Sequence, residues 1–82
     1  MNKPLLRIRL QTAQDVVAAR RRARELAAGL GFSPLDQTRI ASAVSEIARN
    51  AFEYAGGGEV AFALEGARPR EALAVQVSDQ GP

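Results

Sequence analysis

Two polar residues, Glu46 and Asn50, lie four positions apart in a stretch whose apolar spacing is helical, so they share one helix face. A carboxamide oxygen is a hard, neutral ligand that suits Mg²⁺, which keeps several waters and phosphate oxygens as its other ligands. A carboxylate one turn earlier can orient or deprotonate an attacking hydroxyl or water. The pair is therefore a candidate for Mg²⁺-dependent chemistry, although the same spacing is common on ordinary exposed helix faces.

Asp79, near the end of the sequence, is a second candidate. It is in phase with Leu73, Val75 and Val77, so the two-residue period of a strand predicts that it points to the apolar face. A carboxylate there is costly without a partner, and an adenine exocyclic amine would be a suitable donor. Gly81 would let such a ligand approach the backbone closely. The alternative is an Asp that begins a turn by bonding to the following backbone.

Four arginines, at positions 20, 21, 22 and 24, form a basic cluster in an earlier helical stretch. They indicate either a surface for proteins or phosphate groups, or an ordinary solvated helix face. No aromatic residues interleave with them, which weakens the case for single-stranded nucleic acid. The three glycines at 56–58 come after a helix and precede no Gly-Lys-Ser/Thr, so they favour a helix stop over a phosphate loop.

The composition of the 82 residues excludes several other chemistries. The absence of Cys excludes disulfides, thiol catalysis and zinc knuckles, and the absence of His excludes a Ser-His-Asp triad. Hydrophobic residues make up 46% and charged residues 24%, which is typical of one small globular domain. A net charge of +2 is too mild to indicate nucleic acid. No run is long and apolar enough to predict a membrane span or signal peptide, so we expect a cytoplasmic protein.

The elements that position these residues are predicted in the order strand, helix, helix, strand, strand. The predicted strands are residues 5–10, 59–65 and 72–79, and the last two form an antiparallel hairpin with a turn at 66–70. Two helices would then pack on one face of a small mixed or antiparallel sheet. The expected fold class is therefore an α+β two-layer sandwich, formed as one domain over residues 1–82.

Both helices carry recognisable ends. Thr12 suits the N-cap of the first helix, and Gly29 and Gly31 come after its last apolar residues. Ser33 suits the N-cap of the second helix, with Pro34 at its first position. The positions predicted to face the core are Val16, Ala19, Ala23, Leu26, Ala27 and Leu30 in the first helix and Ile40, Val44, Ile47, Ala51 and Tyr54 in the second.

Taken together, these residues resemble the histidine-kinase-like ATPase superfamily. Its asparagine box is resembled by DQTRIA at 36–41 and SEIARNA at 45–51, and the segment just after that box is resembled by YAGGG at 54–58. The start of its first glycine box, Asp-x-Gly-x-Gly, is resembled by VSDQGP at 77–82. Within the superfamily, the sequence is most similar to the small serine/threonine kinases of the anti-sigma-factor and stress-switch type. The resemblance covers essentially the whole chain.

The resemblance implies a role for each candidate residue. Asn50 would ligate Mg²⁺, and Glu46 would act as a base or position the acceptor hydroxyl. Asp79 would accept a hydrogen bond from the adenine amino group, and Gly81 would make room for the ring. The implied fold is the superfamily's ATP-binding sandwich with a left-handed crossover. The implied reaction transfers the γ-phosphate of ATP to a Ser or Thr of a bacterial antagonist protein, mainly by positioning and charge stabilisation.

The superfamily's ATP lid, second glycine box, one further helix and remaining strands would come after residue 82. We therefore expect residues 1–82 to be the front part of the domain, to bind ATP weakly or not at all, and to be inactive alone. An exposed sheet could pair with a second copy. Two alternatives remain open: a non-catalytic module that binds a sigma factor or its antagonist, and an unrelated α+β domain that binds nucleic acid through its arginines.

Overall fold

The structure, a computed structural model, describes residues 2–66 and 72–79. The described elements are the strand β1 (Asn2–Leu10), the helices α1 (Ala13–Gly29) and α2 (Pro34–Ala55), and the strands β2 (Gly58–Glu65) and β3 (Ala72–Asp79). This order and the α+β class confirm the sequence prediction. The predicted turn at 66–70 lies, apart from Gly66, outside the described residues.

The described sheet is fully antiparallel, with β2 between β1 and β3. Strand β1 begins at Asn2, earlier than predicted, because its first residues continue to pair with β2 beyond a register shift between Pro4 and Leu6. A proline is tolerated there because β1 is an edge strand among the described elements. The register sets Val60 opposite both Ile8 on β1 and Val77 on β3, so apolar residues of all three strands share one face.

Both helices begin at the predicted N-caps. The Thr12 hydroxyl accepts from the Asp15 backbone N–H at 3.3 Å, and the Ser33 hydroxyl accepts from the Asp36 backbone N–H at 3.2 Å. The Asp15 carboxylate accepts in return from the backbone N–H groups of Gln11 at 2.7 Å and Thr12 at 2.8 Å. These bonds stabilise the charged form, so they lower the pKa of Asp15 below its usual value. The reciprocal pair is a capping box.

The helices end at glycines in the left-handed region. Gly31, with φ of 88°, comes just after α1 and lets the Phe32 backbone N–H donate to the Ala27 carbonyl at 3.0 Å. Gly29 is the last residue of α1 and not its left-handed cap. Gly56, with φ of 73°, caps α2 as predicted. The glycine run therefore ends a helix and begins β2.

The helix side of the core is built mainly from alanine, and this corrects part of the predicted apolar stripe. Ile47 is 49% exposed, Tyr54 is 82% exposed and Leu30 is also exposed. Ala41 and Ala48 are buried instead, in register with other small residues of α1 and α2. Small side chains let two helices approach closely, so the larger residues of α2 are left at the margins. The buried residues are Leu10, Val16, Ala19, Ala23, Ala27, Ala41, Val44, Ala48, Ala51, Val60 and Phe62.

Candidate functional site

The candidate pair Glu46 and Asn50 lies on the exposed surface of α2. A separation of four residues places them one turn apart, about 6 Å along the helix axis. No side-chain hydrogen bond or ion pair engages either residue within the part of the chain that the structure describes. Their oxygen atoms therefore face solvent and are available to a ligand or a partner.

An apolar groove of about 470 Å³ separates α2 from β3. This volume lies in the range of sites that accept small molecules and cofactors. Ile47, left at the margin of the core, forms part of its wall. The lining residues are Phe32, Ile40, Ala43, Val44, Ile47, Ala72, Leu73 and Val75.

The groove-lining face of α2 continues into the candidate polar pair. Asn50 lies seven residues after Ala43, and seven residues make nearly two full turns. Asn50 therefore lies on the same face as Ala43, one turn beyond the level of Ile47. Glu46 lies three residues after Ala43 and so at the edge of that face. The polar pair therefore borders the groove toward the C-terminal end of α2.

The topology brings residue Asp79 to this same end of the domain. Helix α2 ends at Ala55, and Gly58, the first residue of β2, is the ladder partner of Asp79 at the end of β3. The C-terminal ends of α2 and β3 therefore lie on the same side of the sheet's ladder. Gly81, the fourth candidate, lies outside the described residues. Three of the four candidate positions are thus placed toward one end of the groove by the backbone.

The groove itself is missed by sequence reasoning, which places Ile47 in the core and gives Phe32 no role. One signal is present: Ile47 is a large apolar residue between Glu46 and Asn50, on the margin of a polar strip. Helical spacing alone cannot separate a core position from a groove wall, because both carry apolar side chains on one face.

Neither a metal cluster nor a membrane helix is found in the described parts of the chain. Across residues 2–66 and 72–79, no three His, Cys, Asp or Glu side chains come together as a metal-binding group. No helix in these ranges is both long and apolar enough to cross a membrane. Any metal ion at Asn50 would therefore need most of its ligands from a bound molecule and water.

Comparison with known proteins places this site in context. The family model described as a histidine kinase-like ATPase domain matches residues 10–82. The serine/threonine-protein kinase RsbT of Bacillus subtilis (strain 168) is 43% identical over 75 residues, which cover 92% of this chain and 56% of that kinase. The chain thus spans about half the length of this curated relative. No solved structure matches the chain. Because the family model covers nearly the whole sequence, the chain belongs to the histidine kinase-like ATPase domain family.

Proposed function

We propose that the chain is the ATP-binding part of a bacterial protein serine/threonine kinase of the anti-sigma-factor type. The observation that carries the proposal is the exposed Glu46–Asn50 pair at the border of an apolar groove, in a chain 43% identical to a serine/threonine kinase over 75 residues. The acceptor would be a Ser or Thr of an antagonist or a sigma-factor-type regulatory protein. A cytoplasmic location is part of the same proposal.

The residues present fit a magnesium nucleotide. The exposed Asn50 carboxamide would offer Mg²⁺ one neutral oxygen, with phosphate oxygens and water completing its shell. When bound, the ion would neutralise charge that develops on the phosphates. We assign the adenine amino group to Asp79 and the close approach of the ring to Gly81. Ile47 would give the nucleotide an apolar wall beside the polar pair.

Glu46 would serve the transfer step itself. The acceptor hydroxyl oxygen would attack the γ-phosphorus, and the bond from that phosphorus to the β,γ-bridging oxygen would break. The hydroxyl proton would pass to the Glu46 carboxylate, and ADP would leave with the bridging oxygen. The exposure of Glu46 supports this role, because a hydroxyl carried by another protein must be able to reach the base.

Two substitutions on α2 test the assignment in the complete protein that contains this chain. Glu46→Gln should preserve binding of Mg·ATP but slow transfer from [γ-³²P]ATP to a co-purifying regulatory protein by about 10²–10⁴-fold. Asn50→Ala should instead weaken Mg²⁺-dependent nucleotide binding, measured by calorimetry. Glu53→Gln is the matched control, because Glu53 is exposed on the same helix but lines a depression beside α1.

The outcomes separate the kinase from a binding module. If Glu46→Gln transfers phosphate at the wild-type rate, Glu46 is not the base. If wild-type protein binds its partner but no nucleotide, the non-catalytic alternative replaces the kinase. Equal losses in the Glu53 and Glu46 variants would show a general effect of charge on α2 and would also contradict the assignment.

A further inference from the structure

A stripe of one apolar and three basic side chains runs along the exposed face of α1. Val17, Arg20, Arg21 and Arg24 recur at the three- and four-residue steps of one helix face. Together they line a shallow depression of about 230 Å³. Val17 is 57% exposed, which is unusual for a valine at the centre of a charged surface. We call these four residues the α1 stripe.

The arginines of this cluster are not equivalent. Arg22 forms an ion pair with Glu25 at 3.3 Å. Arg20, Arg21 and Arg24 form no ion pair with any residue that the structure describes. Arg24 Nη2 donates instead to the neutral Thr38 hydroxyl, at 3.4 Å. The α1 stripe therefore presents three guanidinium groups whose charge is not balanced by a described carboxylate.

The apolar part of the α1 stripe continues onto α2. Val17 also lines a neighbouring depression of about 190 Å³ that includes Phe52, Arg49 and Glu53 of α2. An apolar centre with a rim of arginines is the usual composition of a protein–protein contact. Ile47 of the groove and Arg49 are two positions apart, nearly opposite on the helix. This surface and the groove therefore lie on different sides of α2.

The alternatives fit these observations less well. Three arginines span only about 6 Å of helix axis, and the whole chain has a net charge of +2, so few phosphates of a nucleic acid would be neutralised. An interfacial membrane helix needs a broad apolar face rich in Trp, Phe or Leu, whereas the α1 stripe has one valine. Arginine recognises carboxylates by paired hydrogen bonds, which suits an acidic protein surface.

We propose that the α1 stripe is a docking surface for an acidic protein segment, in which carboxylates surround one apolar side chain. The carboxylates pair with Arg20, Arg21 and Arg24, and the apolar side chain packs on Val17. This surface is separate from the nucleotide site and does not depend on the proposed kinase activity. It gives the protein a partner contact that leaves the groove between α2 and β3 open.

The test uses the full ¹⁵N-labelled chain and a synthetic helical peptide that carries four glutamates around one leucine. A matched peptide carries glutamine in place of each glutamate. We expect amide shifts confined to α1 around positions 17–24 and to adjoining residues of α2, with no binding of the glutamine peptide. The double variant Arg20→Gln/Arg21→Gln should raise Kd about tenfold or more. Arg22→Gln, which removes the same kind of charge from the same helix, should change Kd less than about twofold.

Several results would overturn the proposal. Equal weakening by Arg22→Gln and by either of the other single variants would show a non-specific charge effect. Shifts spread over β1 arginines would show the same. Val17→Ser should weaken the peptide without loss of helicity, because Val17 is exposed; unchanged affinity would remove the apolar contact. Tighter binding of a single-stranded DNA oligonucleotide or of phosphatidylserine vesicles at the α1 stripe would replace the protein partner with that ligand.

Discussion

Replacement of Gly57 by alanine should destabilise the fold far more than the same change at its neighbour Gly56. Both glycines have positive φ, 73° at Gly56 and 134° at Gly57. A Cβ built on Gly56 meets nothing within 4 Å, whereas one built on Gly57 lies 3.0 Å from the Leu10 carbonyl oxygen. The two variants therefore share a backbone penalty but differ in a steric one.

The expected magnitudes are set by this difference. An alanine in the left-handed region at position 56 should cost about 1–2 kcal/mol of unfolding free energy. At position 57 the backbone strain costs about 1–3 kcal/mol. The forced contact adds about 1–3 kcal/mol, because the Leu10 carbonyl belongs to a buried residue at the end of the β1–β2 ladder and cannot retreat freely. A domain of this length has about 4–12 kcal/mol in total, so Gly57→Ala should remove a large share.

Urea unfolding monitored by far-UV circular dichroism measures both variants on one scale. We expect the midpoint to fall in the order wild type, Gly56→Ala, Gly57→Ala, with a similar slope for all three. A gap of 1 kcal/mol between the variants would correspond to about 4–8 °C in Tm for a domain of this size. Equal midpoints for the two variants would refute the reasoning, because they would show that the Leu10 carbonyl exerts no steric restraint on position 57.

Two further predictions concern the helix interface and the first cap. Ala23→Leu should cost about 1–3 kcal/mol in urea unfolding because the site is fully buried, whereas the exposed control Ala28→Leu should change stability by less than about 0.5 kcal/mol; equal effects would show that the interface has room. The lowered pKa of Asp15 should stabilise the fold above the unfolded-state value of about 3.9 and lose that contribution as pH falls through the folded value. Tm measured against pH should therefore fall more steeply in acid for wild type than for Asp15→Asn, and parallel profiles would contradict the role of the Gln11 and Thr12 bonds.

The ends of both helices were predictable because they are written in short, local patterns. Thr12 and Ser33 each precede a carboxylate three positions later, and Gly31 and Gly56 supply positive φ where a helix must stop. Such signals depend on a few neighbouring residues and need no knowledge of tertiary contacts. Together with the change from helical to alternating spacing, they predict the order of elements.

The inner face of α2 was harder to predict because size and burial point in different directions there. Ile47 and Tyr54 are larger than Ala41 and Ala48, yet the alanines are the buried residues. Alanine is compatible with either side of a helix, so spacing alone does not reveal a close helix pair. The same ambiguity hides the groove, whose existence depends on where β3 meets α2.

The candidate site was predictable in part. Helical spacing correctly places Glu46 and Asn50 on one exposed face of α2. The strand order brings residue Asp79 to the end of the domain where α2 stops, a long-range relation that the sequence pattern alone does not contain. The roles of these three residues, and that of Gly81, stay predictions because they depend on a bound nucleotide and a partner.

The register shift at Pro4 gives the sheet a closed margin and an open one. Strand β1 combines Lys3, Pro4 and this irregularity, all of which hinder another strand from continuing the ladder. The described stretch of β3 up to Ser78 carries no charged residue and no proline, and it pairs with β2 in unbroken register. Strand addition is therefore directional: a further strand, including one from a second copy, is accepted beside β3 and discouraged beside β1.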